Sequence, residues 1–388
     1  MKCLNKARNR RIKVLFFISS LDGGGAERVM VDILGLIDKE RIEPVLVLLY
    51  PLDDSPYKEY LPEDVEVVVV KRKSDAVFEK IKQFVSFFKV VRGLKPEVVL
   101  SMLTHNNIMA VLAGLVLRIK VIVCEHNTLG EVLRVREGER ILGFTVAPFV
   151  KTLYRFADRV IAVSEGIKDN LIEDFNISEN KIEVINNPLD LDRIAGLSSL
   201  PPEHPFFYEN VPVVVAIGRL VTQKGFDILL KAFSKVSVGM DARLVVLGDG
   251  PERESLLELA MDLDITDKVS FAGFRKNPYG FLSRADVFVL SSTYEGLPMV
   301  ILEAMACGAP VVATACRSGP CEILKDGRYG MLVPPGDEVA LSDGILRLLN
   351  YSELREKLSR SGKERAEDFS IENIIKLYER AIYEAVAG

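Results

Sequence analysis

Four ionisable side chains in the second half of the chain, Arg219, Lys224, Glu295 and Glu303, gather around what reads as an anion site, two of them cations and two of them acids. Arg219 follows a strand-like run, Val213 to Ile217, with Gly218 between them. Lys224 stands in the turn Thr222-Gln223-Lys224-Gly225, ahead of a helical run from Phe226 to Phe233. The two acids sit in Tyr294-Glu295-Gly296-Leu297-Pro298-Met299-Val300-Ile301-Leu302-Glu303-Ala304-Met305-Ala306-Cys307-Gly308, which reads as turn, helix and glycine stop after a strand from Asp286 to Leu290. Pro298 suits the first helical position, so Glu295 falls in the turn and Glu303 about one and a half turns into the helix. Such a helix start leaves backbone N–H groups around Gly296, Leu297, Met299 and Val300 without helical partners, and phosphate is the natural guest. Two cations on the same sheet edge fit a diphosphate, each charge-assisted contact contributing about 1.5–3 kcal/mol when shielded from water. Taken alone, the block is equally an ordinary strand–helix–strand unit with solvated glutamates.

The elements that must position these groups follow an alternating α/β pattern. Strand candidates run Ile12 to Ser19, Pro44 to Leu49, Val65 to Val70, Glu97 to Ser101, Val121 to Cys124, Arg159 to Val163 and Lys181 to Ile185. Asn186-Asn187-Pro188 closes this set, and Ser198 to Pro212 reads as a linker. A second set follows: Val213 to Ile217, Arg243 to Leu247, Val269 to Ala272 and Val287 to Leu290. Strands alternating with helices predict parallel sheets covered on both faces, with ligands at the carboxyl ends of the strands. The polar residues after those ends are therefore candidates: Thr104, His105, Asn106 and Asn107; Glu125, His126 and Asn127; Ser164 and Glu165. After the first strand, Asp22-Gly23-Gly24-Gly25-Ala26-Glu27-Arg28 leads into a helix from Val29 to Ile37. It is neither the dinucleotide fingerprint nor a Walker loop, and it is either a phosphate cradle or a plain turn. Asp75 to Lys95 carries Phe78, Ile81, Phe84, Val85, Phe88 and Val91 at helical spacing among Lys80, Lys82, Lys89, Arg92 and Lys95. That is either a basic amphipathic helix for an anionic surface or a sheet-covering helix with a solvated face.

Composition limits the classes. With 388 residues, 48% hydrophobic and 27% charged, the chain is globular and long enough for two domains. The net charge of −5 is uneven: residues 1–160 hold 26 Lys/Arg against 20 Asp/Glu, or +6, leaving −11 for the rest, which points the first half toward something anionic. Nucleic acid is disfavoured, because the cations are not interleaved with aromatics outside one helix. No apolar run reaches membrane-spanning length, and the basic stretch Met1 to Lys13 lacks an adjoining signal-type segment, so a cytoplasmic location is expected. The five cysteines are scattered without CxxC spacing and read as reduced and structural.

Together, the glycine loop, Gly218-Arg219 with Lys224, and the Glu295/Glu303 pair with its Gly-Leu-Pro and Ala-Cys-Gly-x-Pro-Val surroundings resemble the retaining glycosyltransferases of family 4. The likeness covers nearly the whole chain. It implies the GT-B fold, two doubly wound Rossmann-like domains facing across a cleft. Residues 1–197 would bind the acceptor, 198–370 the nucleotide sugar, and 371–388 would form a helix returning to the first domain. It also implies that Arg219 and Lys224 hold the diphosphate together with Gly218 and the Gly296-Leu297-Pro298 backbone, that Glu295 holds the donor sugar and Glu303 the ribose, and that the loop with Phe274 and Arg275 holds the base. Gly24 and Gly25 would lie near the diphosphate, and His126 would contact the transferred sugar, making His126, Glu295, Arg219 and Lys224 the catalytic set. Glu125-His126-Asn127 and Gly-Gly-Ala-Glu-Arg are most like the branch that builds oligosaccharides on polyprenyl diphosphates. In that branch Thr104, Asn106, Lys82, Lys89 and Arg92 would serve the acceptor and the basic helix would touch the inner membrane surface. The donor is expected to be a UDP-sugar, with no cofactor. No metal is expected, since two cations and a helix start can stabilise the departing diphosphate and Asp190-Leu191-Asp192 lies at the domain exit, off any sheet edge. No carboxylate is left over to act as a nucleophile, so attack on the donor face from which the phosphate departs is expected. A GT-B sugar-nucleotide epimerase and a non-catalytic sugar-nucleotide-binding protein are the alternatives. The first would turn over donor without acceptor, and the second would bind donor without transfer.

Overall fold

The computed structural model describes residues 10–22, 24–53, 55–70, 77–128, 140–141 and 144–388, with 77–80, 140–141 and 144–145 described for the backbone alone. Gly23, Cys3, Asp75 and the side chains of Phe78 and Lys80 therefore lie outside the described residues. The chain forms two compact units. One holds the described residues up to Pro188 together with Ile371–Gly388, and the other spans Leu189–Ser370.

In the first unit seven strands, β1 (Ile12–Ile18), β2 (Ile42–Leu48), β3 (Glu66–Val69), β4 (Val98–Met102), β5 (Lys120–Glu125), β6 (Arg159–Ala162) and β7 (Ile182–Val184), form one parallel sheet in the order β3-β2-β1-β4-β5-β6-β7. The order reverses direction at β1, which pairs with β2 on one side and β4 on the other. In the second unit β8 (Val213–Ile217), β9 (Arg243–Leu247), β10 (Val269–Gly273), β11 (Val287–Leu290), β12 (Val311–Thr314) and β13 (Met331–Val333) follow the order β10-β9-β8-β11-β12-β13, with the reversal at β8. Both sheets are thus doubly wound, and each offers a ligand crevice at the carboxyl ends beside its reversal point. The strands are Val-, Ile- and Leu-rich because helices cover both faces; β1 is buried from Val14 to Ile18. The three-residue β13 is too short to stand out in the sequence.

The unit boundary falls at Pro188, before the expected linker, because the helix Leu191–Ser198 packs on the helices Tyr279–Leu282 and Met299–Cys307 of the second unit. Asp190 is its N-cap, accepting from the Arg193 N–H at 2.9 Å, so the Asp-x-Asp spacing there is a capping device. The C-terminal helix Ile371–Ala387 buries Ile371, Ile374, Ile375, Tyr378, Ala381, Ile382 and Ala385 in the core of the first unit with β1, β4 and β5 residues such as Phe16, Leu100 and Cys124. Burying each isoleucine there contributes about 1.5–3 kcal/mol relative to exposure. Charged anchors hold its outer face: Arg380 to Glu183, Glu384 to Arg159, and Glu379 accepting from the Asp38 N–H at 2.8 Å. Tyr378 is fully buried and its hydroxyl has no hydrogen-bond partner among the described residues. Tyr378→Phe is therefore expected to raise unfolding stability by about 1 kcal/mol. Urea titration checks this, and a comparable loss would show that the hydroxyl is bonded after all.

The helix Val77–Leu94 packs on the sheet along one narrow stripe. Its buried stripe is Gln83, Phe87 and Val91, with Phe87 stacked on Phe17 at 4.1 Å and the Gln83 amide donating to the Leu49 carbonyl at 3.3 Å. Of the apolar residues at helical spacing there, Val91 is buried, Ile81 and Val85 are each 45% exposed, and Phe84 and Phe88 are half-buried. Lys82, Lys89 and Arg92 are exposed. At 100° per residue, Ile81, Val85, Lys82, Lys89 and Arg92 share one side of the helix, so its outward face is both apolar and cationic.

Candidate active site

At the reversal point of the second sheet, the segment after β8 and the segment after β11 meet. Lys224 reaches Glu295, Nζ to Oε1 at 2.6 Å, and the Ser292 hydroxyl donates to the same oxygen at 2.6 Å. Glu295 is only 7% exposed. Backbone and amide bonds clamp the two segments: Ser291 Oγ donates to the Lys224 carbonyl at 2.8 Å, Thr293 N–H to the Gln223 carbonyl at 2.8 Å, and Gln223 Nε2 to the Tyr294 carbonyl at 2.9 Å. Gly225 makes this approach possible. Its φ is +59° and a Cβ would sit 2.4 Å from the Ser291 carbonyl oxygen. From behind, Thr314 Oγ1 and Cys316 Sγ donate to the Ser292 carbonyl, at 2.5 and 3.1 Å.

The turn Gly296-Leu297-Pro298 is equally well fixed. Ser318 Oγ donates to the Gly296 carbonyl at 2.9 Å, and Gly319 packs so closely that a Cβ would lie 2.5 Å from Pro298 Cδ. Pro298 is the N-cap residue, one position earlier than expected, and the helix Met299–Cys307 has no side-chain cap. The Met299 and Val300 N–H groups therefore have no intrahelical acceptor, while the Ile301 N–H donates to the Pro298 carbonyl at 3.0 Å. Gly308 ends the helix at φ +84°.

Arg219 is exposed and makes no ion pair or side-chain hydrogen bond among the described residues. The turns around it interlock: Gly218 N–H to the Leu247 carbonyl at 3.0 Å, Leu220 N–H to the Asp249 carbonyl at 2.9 Å, and Gly248 N–H to the Gly273 carbonyl at 2.9 Å. Phe274, 62% exposed, and Arg275, also exposed, follow β10 at the far end of this edge. Glu303 lies inside its helix, half-buried, with Tyr279 OH 3.2 Å from its Oε1. The second unit therefore brings Lys224 and Glu295 into contact and places Arg219, Gly218, Phe274, Arg275 and Gly296 along one edge of the sheet. Sequence reading missed Ser292 and Tyr279; the hydroxyl run Ser291-Ser292-Thr293 just before Glu295 is the signal for the first.

In the first unit the carboxyl end of β5 holds a buried carboxylate. Glu125, 1% exposed, accepts from Thr104 Oγ1 at 3.1 Å, Asn107 Nδ2 at 3.0 Å and the Tyr154 hydroxyl. Asn106 is fully buried, accepting from Ser19 Oγ at 2.7 Å and donating to the Met102 carbonyl at 2.8 Å. Thr104 and Asn106 thus bond groups inside the unit. The next residue, His126, is 8% exposed with neither ring nitrogen hydrogen-bonded among the described residues, and burial pulls its pKa down to about 4. It is a neutral imidazole near pH 7 with unused hydrogen-bonding capacity.

The helix after β1, Gly25–Leu36, starts four residues earlier than expected, with Gly24 as N-cap and no side-chain cap. Both Glu27 carboxylate oxygens crowd Gly24, whose added Cβ would lie 2.2 Å from one of them; burial, then Asp22, raises the Glu27 pKa. Gly25 has open space beside it. Arg28 is turned away from the loop, bonded to both Asp32 oxygens at 2.9 and 3.0 Å and lying over Tyr57 and Tyr60.

Two parallel doubly wound units, one with a cationic, glycine-lined carboxyl edge, define the GT-B class of sugar-transferring folds. A model for "Glycosyl transferases group 1" matches residues 202–365 and one for "Glycosyltransferase Family 4" matches residues 23–193. An uncharacterized glycosyltransferase of Methanocaldococcus jannaschii is 30% identical over 77% of this chain and 82% of its own length. The chain belongs to the family-4 glycosyltransferases and is an enzyme of that class. It is also similar, at 28% identity over 92% of this chain and 95% of the relative, to the Campylobacter jejuni N-acetylgalactosamine-N,N'-diacetylbacillosaminyl-diphospho-undecaprenol 4-alpha-N-acetylgalactosaminyltransferase. Among solved structures, Anabaena Alr3699/HepE in complex with UDP-glucose superposes with a TM-score of 0.81 at 21% identity, over 96% of this chain and all of that one, which establishes the shared fold.

Proposed function

We propose that this glycosyltransferase moves a sugar from a UDP-sugar to a hydroxyl of a polyprenyl-diphosphate-linked glycan, with retention and without a metal. The observation that carries the reading is the Lys224–Glu295 pair beside exposed Arg219 and an uncapped helix start, all at the reversal point of one sheet. In this reading Arg219, Lys224 and the Gly296-Leu297-Pro298 backbone hold the diphosphate with Gly218, Glu295 the sugar, Glu303 the ribose, and Phe274 and Arg275 the base. His126 contacts the transferred sugar, and Gly24 and Gly25 lie by the diphosphate. The C1–O bond to phosphate breaks, the acceptor oxygen bonds C1 from the same face, and the acceptor proton passes to the departing phosphate oxygen. The cations and helix N-terminus stabilise the charge growing on that phosphate.

Support for the acceptor class comes from the name of the Campylobacter jejuni relative, a transferase to a diphospho-undecaprenol-linked sugar. Among the described residues no helix is long and apolar enough to cross a membrane. The exposed Ile81, Val85, Lys82, Lys89 and Arg92 face is the part suited to an anionic membrane surface and a lipid diphosphate. Incubation with UDP-sugars and an undecaprenyl-diphosphate glycan should give an α-linked product from an α-linked donor. Changing Lys82, Lys89 and Arg92 together to Gln should lower that transfer at least tenfold and donor hydrolysis by less than twofold. An inverted linkage would refute retention, and equal loss of both activities would remove the helix from the acceptor site.

A further inference from the structure

We infer that Tyr279 is a positioning residue for Glu303 and thereby sets how strongly the enzyme distinguishes a ribonucleotide from a deoxyribonucleotide. The inference rests on the ribose role proposed for Glu303. Tyr279 is 3% exposed, and its hydroxyl, 3.2 Å from Glu303 Oε1, is the donor of that contact. The ring is held in place independently of the carboxylate. Asn277 Oδ1 accepts from the Tyr279 N–H at 3.1 Å while Asn277 Nδ2 donates to the Leu197 carbonyl at 3.0 Å. Gly280 sits so close to the segment around Leu200 that a Cβ would lie 2.4 Å from the Leu200 carbonyl oxygen. The short helix Tyr279–Leu282 also packs on both Leu191–Ser198 and Met299–Cys307. The phenol is thus a fixed donor aimed at a half-buried carboxylate on a long, rotatable side chain.

A carboxylate that must accept hydrogen bonds from vicinal hydroxyls works best when its rotamer is set beforehand, because ordering it during binding subtracts from affinity. A carboxylate has about four lone-pair sites, so one bond from Tyr279 leaves acceptor capacity for the ribose. Removing the phenolic oxygen leaves a half-exposed carboxylate that water can reach, so the ring packing and the fold should survive.

The test is a calorimetric titration of UDP and 2′-deoxy-UDP, with GDP and 2′-deoxy-GDP in parallel, against wild type, Tyr279→Phe and Glu303→Ala. Wild type should prefer the ribonucleotide at least tenfold, Glu303→Ala should show no preference, and Tyr279→Phe should bind the ribonucleotide about five- to tenfold more weakly with deoxynucleotide binding changed less than twofold. Loss of affinity for both nucleotides alike in Tyr279→Phe, or no change at all, would overturn the positioning role while leaving the Glu303 reading intact. A preference that persists in Glu303→Ala, or is absent from wild type, would overturn the ribose reading and the inference with it.

Discussion

Replacing Lys224 by Gln is expected to lower sugar transfer by a factor of about 10²–10³, the usual cost of removing one donor aimed at developing charge. The side chain has two tasks. In the structure its ammonium holds Glu295, and with the donor bound it is read as holding the diphosphate. Glu295 keeps only 8% of its side-chain surface, so removing the Lys224 ammonium takes a charge-assisted bond from a nearly buried carboxylate, at a cost of about 1–3 kcal/mol in stability. The two tasks separate in a double variant. Adding Glu295→Gln removes the buried charge and should restore most of the lost stability while activity stays low. Urea titration with steady-state kinetics on wild type, the two single variants and the double variant checks this. Recovery of activity together with stability would mean that Lys224 acts on the fold alone.

Gly248→Ala is the second large effect expected. Gly248 has φ +131°, and a Cβ there would sit 1.9 Å from the Gly218 carbonyl oxygen, a backbone atom with no room to swing away. Strain at such a φ costs about 1–3 kcal/mol by itself, and relieving the overlap pushes apart the turns after β8 and β9. Those turns carry Arg219, so a total loss of about 3–5 kcal/mol should come with weakened nucleotide binding in whatever fraction remains folded. Gly35→Ala is the control. Gly35 lies inside the helix Gly25–Leu36 with nothing within 4 Å of an added Cβ, and the change should stabilise by about 0.5–1 kcal/mol. Thermal unfolding separates the two, and similar melting temperatures for Gly248→Ala and wild type would contradict the account of this turn.

The α/β alternation and most strands are legible in the sequence because a parallel sheet covered on both faces needs unbroken Val/Ile/Leu runs. The Lys224, Glu295 and Glu303 neighbourhood is legible for a related reason, since glycines, charges and a helix start cluster where strands end. Phase is harder to read than period. On the helix Val77–Leu94 a polar Gln83 is buried because it meets the Leu49 carbonyl, while Ile81 and Val85 face outward. Polarity at a strand end is ambiguous for the same reason. Asn106 and Thr104 look like ligand contacts, yet Ser19, the Met102 carbonyl and Glu125 use them. Tyr279 and Ser292 touch the site only across the sequence, 24 and three residues from Glu303 and Glu295, and the longer pairing has no local signature.

The account turns on whether the carboxyl edge of the second unit holds a nucleoside diphosphate. Titrating UDP and uridine, and GDP and guanosine, into wild type and Arg219→Met measures this directly. Two charge-assisted contacts at about 1.5 kcal/mol or more each predict at least about a hundredfold preference for one diphosphate over its nucleoside. That preference should fall about tenfold or more in Arg219→Met. Equal affinity of wild type for diphosphate and nucleoside, or a preference unchanged by the Arg219 substitution, would contradict it.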